Sequence, residues 1–299
     1  MGYPVIAAIR RLTLHDGPGT RTTVFVKGCP LRCIWCHNPE TFSPVPQLLF
    51  HSNLCNNCRK CEKACSKAVH HFTGSGHFLE RNNCSLCGAC VETCLRNALD
   101  ICGREYAPEE LLEILLKDKK FYDSGGGVTV SGGEPLLYPD FIRELLMLLR
   151  KHQIHTALDT CGHVPFGAFE KVLPFADMIL FDLKGIDDSK HQANTGRSNR
   201  IILENLKKTG SGNIPVEIRM PIVPGCNDSE GEFHAAGKFL QPLQAIKAIR
   251  LLPYHSMARE KYAAAGQKDT MPQSDPPDPA KLKAVAEILR QYVSASVLF

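Results

Sequence analysis

Two hydrophobic patterns alternate along most of the chain. Short runs of apolar and β-branched residues indicate strands. They fall at residues 22–26, 128–130, 156–158, 178–181, 216–219 and 248–252. Between them lie segments with apolar residues at helical spacing, such as residues 108–121 and 140–152. Strands that alternate with helices predict βαβ units and a parallel sheet. Six such units predict an α/β fold, a partial (β/α)6 TIM-like barrel.

The end of the chain adds one more element to this pattern. Residues 270–279, TMPQSDPPDP, contain too many prolines and aspartates to sustain a helix or a strand, so they predict a surface loop. Beyond them, residues 280–293 place Leu282, Val285, Leu289 and Tyr292 on one helical face. We expect this helix to pack against the sheet.

Composition describes an ordinary globular protein. The chain has 299 residues, 43% apolar and 22% charged, with 35 basic and 31 acidic side chains and a net charge of +4. This balance argues against nucleic acid or membrane surfaces as partners. Neither a signal peptide nor a membrane-spanning run is recognisable. We therefore expect a cytoplasmic protein, and we expect it to be a monomer.

Cysteine usage changes that plain picture. Eleven of the 14 cysteines lie between Cys29 and Cys94. In a reducing compartment, such a density points to metal or cluster ligation rather than to disulfides. We interpret the three others, Cys102, Cys161 and Cys226, as buried thiols that act as small apolar side chains.

A C-x2-C-x2-C-x3-C run occurs twice, at residues 55–65 and 84–94. In ferredoxins with two [4Fe–4S] clusters, three cysteines of each run bind one cluster and the fourth binds the other. The spacing predicts a ferredoxin-like insert over residues 48–104. Its first cluster would be bound by Cys55, Cys58, Cys61 and Cys94, and its second by Cys84, Cys87, Cys90 and Cys65. Two zinc sites are the alternative, although zinc ligands usually come as separated pairs.

A third motif, C-x3-C-x2-C, places Cys29, Cys33 and Cys36 directly after the first predicted strand. Three thiolates on a [4Fe–4S] cluster leave one iron without a protein ligand. An open metal position is typical of catalysis, whereas a closed one is typical of storage or structure.

The residues around this triplet resemble the radical S-adenosylmethionine superfamily, and within it the glycyl radical enzyme activating enzymes, such as pyruvate formate-lyase activase. The resemblance begins with LHDGPGTRTTVFVKGCPLRCIWCHNPE at residues 14–40. It continues through GGGVTVSGGEPLL, LDTCG, FDLKG, RMPIVPGCND and LLPYH. It covers nearly the whole chain and implies three parts: the start of the barrel in residues 1–47, the insert in 48–104 and the rest of the barrel in 105–299.

The resemblance implies roles for individual residues. Cys29, Cys33 and Cys36 would bind the catalytic cluster, whose open iron S-adenosylmethionine would chelate. Asp16 would face the substrate peptide. The residues that would contact S-adenosylmethionine are Trp35, Cys36, His37, Gly132, Gly133, Asp182, Lys184 and His255. Asp159 and Asp182, with the backbone carbonyls of Thr160 and Leu180, resemble a monovalent cation site.

Plainer explanations exist for some of these residues. Asp159 and Asp182 are suited to capping helices after their strands. His255 follows a proline in a predicted loop, where a surface histidine is common. Gly132 and Gly133 are suited to tight turns.

The resemblance implies an activase. An electron from reduced flavodoxin or ferredoxin would cleave S-adenosylmethionine to methionine and a 5′-deoxyadenosyl radical. That radical would take a hydrogen from a glycine α-carbon of a partner enzyme. Two alternatives remain: a radical S-adenosylmethionine enzyme that acts on a small molecule, and an electron-transfer protein with three clusters.

Overall fold

A computed structural model describes residues 2–74, 76–122 and 125–299. The strands are β1 (Val5–Thr13), β2 (Arg21–Val26), β3 (Gln47–Phe50), β4 (His70–Thr73), β5 (Gly76–Leu79), β6 (Leu99–Cys102), β7 (Arg104–Glu105), β8 (Gly127–Gly132), β9 (His155–Thr160), β10 (Met178–Asp182), β11 (Val216–Ile222), β12 (Ile246–Pro253) and β13 (Ser296–Leu298). The α-helices are α1 (Lys60–Ala64), α2 (Ala89–Glu92), α3 (Pro108–Leu116), α4 (Pro139–Lys151), α5 (Phe166–Val172), α6 (Asp188–Thr195), α7 (Arg200–Gly210), α8 (Glu230–Leu240), α9 (Arg259–Ala264) and α10 (Pro279–Arg290).

The six predicted strands are confirmed. They are β2, β8, β9, β10, β11 and β12, and they lie side by side in chain order, all parallel. Every residue of β2 is buried, as expected of a strand covered on both faces. Because parallel strands end at the same edge, the loops that follow them meet on one side of the sheet.

Three further strands extend this sheet. β13 pairs with β12 in the parallel direction. At the other edge of the sheet, β1 pairs antiparallel with β2, and β7 pairs antiparallel with β1. The sequence pattern missed β1 because its second half is largely exposed and does not stand out as an apolar run. Over the described residues the sheet runs from β13 to β7.

The predicted C-terminal helix is confirmed as α10. Leu282, Val285 and Leu289 are buried in the main hydrophobic core, as the pattern indicates. Tyr292 lies just past the end of the helix, where its ring contacts Gly237 of α8 and its hydroxyl lies 2.9 Å from His234 Nδ1.

The cysteine-rich segment folds around a core of its own, which includes Leu48, Phe50, Val69, Ala98 and Leu99. Two antiparallel ribbons, β3 with β6 and β4 with β5, enclose α1 and α2. The segment leaves and rejoins the rest of the chain at one place, because Gln47 pairs with Cys102.

This segment is an internal repeat with an offset of 29 residues. Its left-handed backbone positions recur at that offset: Asn57 with Leu86, Arg59 with Gly88, and Ala68 with Asn97. Non-glycine residues seldom adopt this conformation, so its recurrence indicates that the two halves share one backbone path.

The model contains no helix, within its described residues, that is long and apolar enough to cross a membrane.

Candidate active site

A cavity of about 620 Å³ opens where the parallel strands end. It brings together most of the residues singled out in the sequence. Those that line it are Asp16, Cys29, Cys33, Trp35, Cys36, His37, Gly132, Gly133, Asp159, Asp182 and Lys184. The cysteines, glycines, Asp159, Asp182 and Lys184 come from the ends of β2, β8, β9 and β10 or from the loops after them, and they converge because these parallel strands end at one edge of the sheet. Asp16 lies in the loop after the antiparallel β1 and contacts Thr23 of β2 and Thr129 of β8.

Close backbone packing holds the loop that carries the three cysteines. Gly133 N donates to Val26 O at 2.8 Å, and Glu134 N donates to Gly28 O at 2.8 Å. A Cβ at Gly133 would lie 2.1 Å from Gly28 O, and one at Gly132 would lie 2.5 Å from Val26 O. Both glycines therefore allow β8 to approach the cysteine loop, a requirement separate from any contact with a ligand.

Of the three thiols, Cys33 is buried and Cys29 and Cys36 are half-buried, and Lys184 lies near all three. Burial raises the pKa of Cys33 to about 12 and also raises the pKa of Cys36. Lys184 favours the thiolate forms of all three cysteines. Because a metal ligates the thiolate and displaces its proton, buried thiols beside a cation suit an anionic iron–sulfur cluster.

Lys184 and Asp182 form an ion pair at the cavity wall, with Nζ 2.6 Å from Oδ2. Burial alone would lower the pKa of Lys184, but Asp182 and the neighbouring thiols raise it above its ordinary value. This lysine is therefore a permanent cation next to the cysteines.

Asp159 is the second buried carboxylate of the cavity. Its Oδ2 accepts from Ser131 Oγ at 2.7 Å and from Arg219 Nη1 at 3.2 Å. Its Oδ1 is buried and has no hydrogen-bond partner among the described residues, and burial raises the pKa of Asp159 to about 7. Neither Asp159 nor Asp182 caps a helix: the residues at the cap positions of α5 and α6 are Pro165 and Asp187.

Three of the predicted site residues do not line the cavity. Leu180 is fully buried within the sheet. The Thr160 hydroxyl turns away to donate to Glu134 at 2.8 Å. The ring of His255 lies 4.1 Å from that of His37, and its carbonyl lies 3.0 Å from His37 Nε2. His255 is thus packed beside the cavity and is not a plain surface histidine; its Nδ1 is buried and has no hydrogen-bond partner in the part of the chain that the structure describes.

Sequence reasoning assigned no role to Glu134, which is fully buried beneath the cysteine loop. Its carboxylate accepts from the backbone N–H groups of Leu136 and Cys161 at 3.0 and 2.9 Å, and from Cys161 Sγ at 3.0 Å. Burial raises the pKa of Glu134. Cys102 and Cys161 are buried as predicted, but the Cys161 thiol donates to Glu134 and so does not act only as a small apolar side chain. Cys226 is half-buried, so the prediction is wrong there.

Sequence reasoning also missed two arginines that fix the loop around Asp16. Arg21 is fully buried, and its guanidinium donates to the carbonyls of Pro18 and Val128 at 3.1 and 2.7 Å. Arg219 donates to His15 O at 3.0 Å. Asp16 accepts from Thr23 Oγ1 at 2.8 Å, which sets its carboxylate at the cavity wall. A charged residue in an apolar strand pattern was the available signal for both arginines.

In the cysteine-rich segment, two small cavities of about 20 Å³ each are ringed by cysteines. We call them insert site 1 and insert site 2. Insert site 1 contains Cys55, Cys58, Cys61 and Cys94. Insert site 2 contains Cys65, Cys84, Cys87 and Cys90. Each run thus sends its fourth cysteine to the other site, which is the exchange that ferredoxin spacing predicts.

Comparison with known proteins gives this geometry a context. The family model of the Radical SAM superfamily matches residues 23–236. The trans-4-hydroxy-L-proline dehydratase activating enzyme of Clostridioides difficile is 37% identical over 289 residues, which cover 95% of each chain. The choline trimethylamine-lyase activating enzyme of Oleidesulfovibrio alaskensis is 38% identical, over 96% of this chain and 95% of its own.

Among solved structures, a domain of a pyruvate-formate lyase-activating enzyme from Bacteroides vulgatus is similar, with a TM-score of 0.50 and 29% identity. It covers 58% of this chain and 99% of its own. These matches imply S-adenosylmethionine and a [4Fe–4S] cluster as cofactors, and a glycyl radical enzyme as partner. The chain therefore belongs to the Radical SAM superfamily and, within it, to the glycyl radical enzyme activating enzymes.

Proposed function

We propose that the cavity at the strand ends is the active site of this activase, and that Cys29, Cys33 and Cys36 bind its catalytic cluster. The observation that carries the proposal is that the three thiols line one cavity together with Lys184. When bound, the cluster supplies the electron that cleaves S-adenosylmethionine, whose 5′-deoxyadenosyl radical abstracts hydrogen from the partner's glycine.

The residues around the cysteines orient and shield this chemistry. Lys184 binds the carboxylate of S-adenosylmethionine, a charge-assisted hydrogen bond for which its ion pair with Asp182 holds it ready. Backbone groups of Gly132 and Gly133 face the methionine amino group. Trp35, His37 and His255 pack near the adenosyl moiety and exclude water.

A monovalent cation completes the methionine end of the site in this proposal. Its support is the unpartnered Oδ1 of Asp159, together with Asp182 on the neighbouring strand. The carbonyls of Thr160 and Leu180 belong to the same strand pair and are its further candidate ligands.

The substrate glycine reaches the cavity past the β1–β2 loop. Leu12 near the end of β1 and Leu14 in that loop are exposed at 47% and 66% and also line the cavity, so they form an apolar rim beside Asp16. A backbone segment of a partner protein fits such a rim better than a small polar substrate does.

The cysteine-rich segment carries two further [4Fe–4S] clusters in this proposal, one in each insert site. The support for this proposal is that each cysteine run contributes its fourth cysteine to the cavity that the other run lines. Reduced flavodoxin or ferredoxin is the electron donor, and the activase acts as a monomer.

The test is anaerobic cleavage of S-adenosylmethionine. We expect the reconstituted protein to form 5′-deoxyadenosine with dithionite, Cys33→Ala to form none, and Cys226→Ala, the matched control outside the cavity, to match the wild type. Equal product from Cys33→Ala would overturn the assignment of the cluster ligands.

A second measurement separates the activase from an enzyme that acts on a small molecule. We expect a glycine-centred radical signal in electron paramagnetic resonance (EPR) spectra when purified glycyl radical enzymes are added one at a time. The panel includes the glycyl radical enzymes after which the relatives are named. If none of them gives a glycine-centred radical signal, the result favours an enzyme that acts on a small molecule.

A further inference from the structure

The two insert sites differ at positions related by the 29-residue repeat. His77 lines insert site 1, and its repeat counterpart Leu48 lines insert site 2. Conversely, His70 lines insert site 2, and its counterpart Leu99 lines insert site 1. One backbone path thus places nitrogen-bearing side chains where the other half has only hydrocarbon.

The two histidines form a buried chain that ends on a cysteine of insert site 1. His70 Nδ1 lies 3.0 Å from His77 Nε2, and His77 Nδ1 lies 3.6 Å from Cys55 Sγ. Cys61 Sγ is 4.0 Å from His77 Nε2. His70 and His77 are only 3% and 9% exposed.

Aromatic rings fix the orientation of His77. Its ring stacks on Phe72 with centroids 4.2 Å apart and an angle of 10° between the planes, and Phe50 packs at 4.4 Å. Phe72 and His77 are directly paired across the β4–β5 ribbon. Strand pairing and stacking therefore hold Nδ1 toward Cys55.

The chemistry of a ligated cysteine decides the direction of these hydrogen bonds. A thiolate can only accept, so His77 Nδ1 must carry the proton that faces Cys55. His77 Nε2 then accepts from the Nδ1–H of His70. His70 Nε2 has no partner within the described parts of the chain, which suits a neutral ring with an unprotonated Nε2. Both rings then need only one proton each.

We propose that His77, supported by His70, donates an N–H···S hydrogen bond to Cys55 and makes the cluster of insert site 1 the more easily reduced of the two. The proposal rests on the proposed cluster in each insert site. Reduction adds negative charge that spreads onto the ligand sulfurs, so a donor at one sulfur stabilises the reduced form more than the oxidised form. Leu48 supplies no such donor to insert site 2.

His77 is a positioning residue in this proposal, and its test is a redox potential. His77→Phe keeps a ring on Phe72 and removes the donor. In a protein that lacks the catalytic cluster through Cys29→Ala, Cys33→Ala and Cys36→Ala, EPR-monitored titration resolves the insert clusters alone. We expect the reduction potential of the cluster in insert site 1 to fall by about 59 mV, which is a tenfold shift of its one-electron equilibrium toward the oxidised form.

Two further variants frame that result. His70→Leu, which introduces the residue found at the repeat counterpart, should shift the same potential by less, because His77 keeps its proton but loses its support. His71→Phe is the matched control, since His71 is exposed on the same strand and should leave both potentials unchanged.

Other outcomes would overturn the proposal. Full iron content with unchanged potentials in His77→Phe would remove His77 from this role and leave the clusters in place. Should that variant lose its cluster, the wild type labelled with 15N-histidine decides: the absence of 15N coupling to the reduced cluster contradicts the hydrogen bond.

A metal analysis separates this failure from failure of the cluster assignment. Cys61, His70 and His77 offer ligand atoms within 4.8 Å of one another, a spacing that zinc also accepts. One equivalent of zinc, with iron for only a single insert cluster, would show that insert site 1 holds no iron–sulfur cluster. That result would overturn the proposed cluster in insert site 1, and the proposed hydrogen bond to it would be overturned as a consequence.

Discussion

The loop that carries Cys29, Cys33 and Cys36 and the cysteine-rich segment both present cysteine thiols, but in opposite surroundings. The loop offers three cysteines to a cavity of about 620 Å³, whereas each insert site offers four to a cavity of about 20 Å³. The loop is held by backbone contacts with Gly133 and Glu134, and it faces a lysine. An open site needs support from the rest of the fold because its ligands do not enclose it, whereas a quartet of cysteines encloses its own site.

Gly133→Ala should produce the largest loss of stability, and it tests directly the backbone contacts that hold the cysteine loop. The new Cβ would lie 2.1 Å from Gly28 O, so the cysteine loop must move. We expect the free energy of unfolding to fall by about 3 kcal/mol. Urea denaturation followed by circular dichroism measures it.

Gly88→Ala in the cysteine-rich segment is the matched comparison. Gly88 has a positive φ, 83°, and a Cβ there meets nothing closer than 3.9 Å. Its repeat counterpart Arg59 already adopts the left-handed conformation with a side chain. We expect the free energy of unfolding to fall by only about 1 kcal/mol. Equal losses in the two variants would contradict the idea that the cysteine loop depends more on close backbone packing than the cysteine-rich segment does.

Glu134→Gln should have the next largest effect. The amide replaces one acceptor oxygen by a donor in a site that holds two backbone N–H groups and the Cys161 thiol. We expect the free energy of unfolding to fall by about 2 kcal/mol. Glu170→Gln, on an exposed face of α5, is the control and should leave the urea midpoint unchanged.

Lys184→Met should weaken binding of S-adenosylmethionine without unfolding the site. Loss of a charge-assisted hydrogen bond corresponds to about a tenfold higher KM. The 5′-deoxyadenosine assay at varied S-adenosylmethionine measures it, with the exposed Lys207→Met as control. An unchanged KM would mean that the cation serves the cysteines alone.

Combined replacement of Cys58 and Cys87 by alanine should have the smallest effect. Dithionite is small enough to reduce the catalytic cluster directly, so we expect an unchanged rate of 5′-deoxyadenosine formation. With flavodoxin as donor the rate should fall if the insert clusters relay electrons. An unchanged rate with both reductants would restrict the segment to a structural role.

The sequence predicted the six parallel strands because each contains a short run rich in apolar and β-branched residues, and five of the six are largely buried on both faces; β12 has only three of its eight residues buried. It did not predict β1, whose second half is exposed. The difference lies in burial: the hydrophobic pattern reports how a strand is covered, and not which strand it pairs with.

For the site, motif spacing was enough to identify the cysteines, since at least three of those at each site lie close together along the chain. The supports were invisible because they come from distant strands. Arg219 reaches Asp159 from two strands away, and Lys261 of α9 reaches His37 O at 2.8 Å. No local pattern encodes a contact across 224 residues.

The pairing of β3 with β6 has a consequence for engineering. Because Phe50 pairs with Leu99, the 48 residues between them leave and re-enter the fold at adjacent points. A two-residue hairpin turn could join those strand ends in place of the whole segment. Such a shortened chain would retain β3, β6 and every element of the nine-stranded sheet, and would provide a single-cluster enzyme whose spectra are free of overlap.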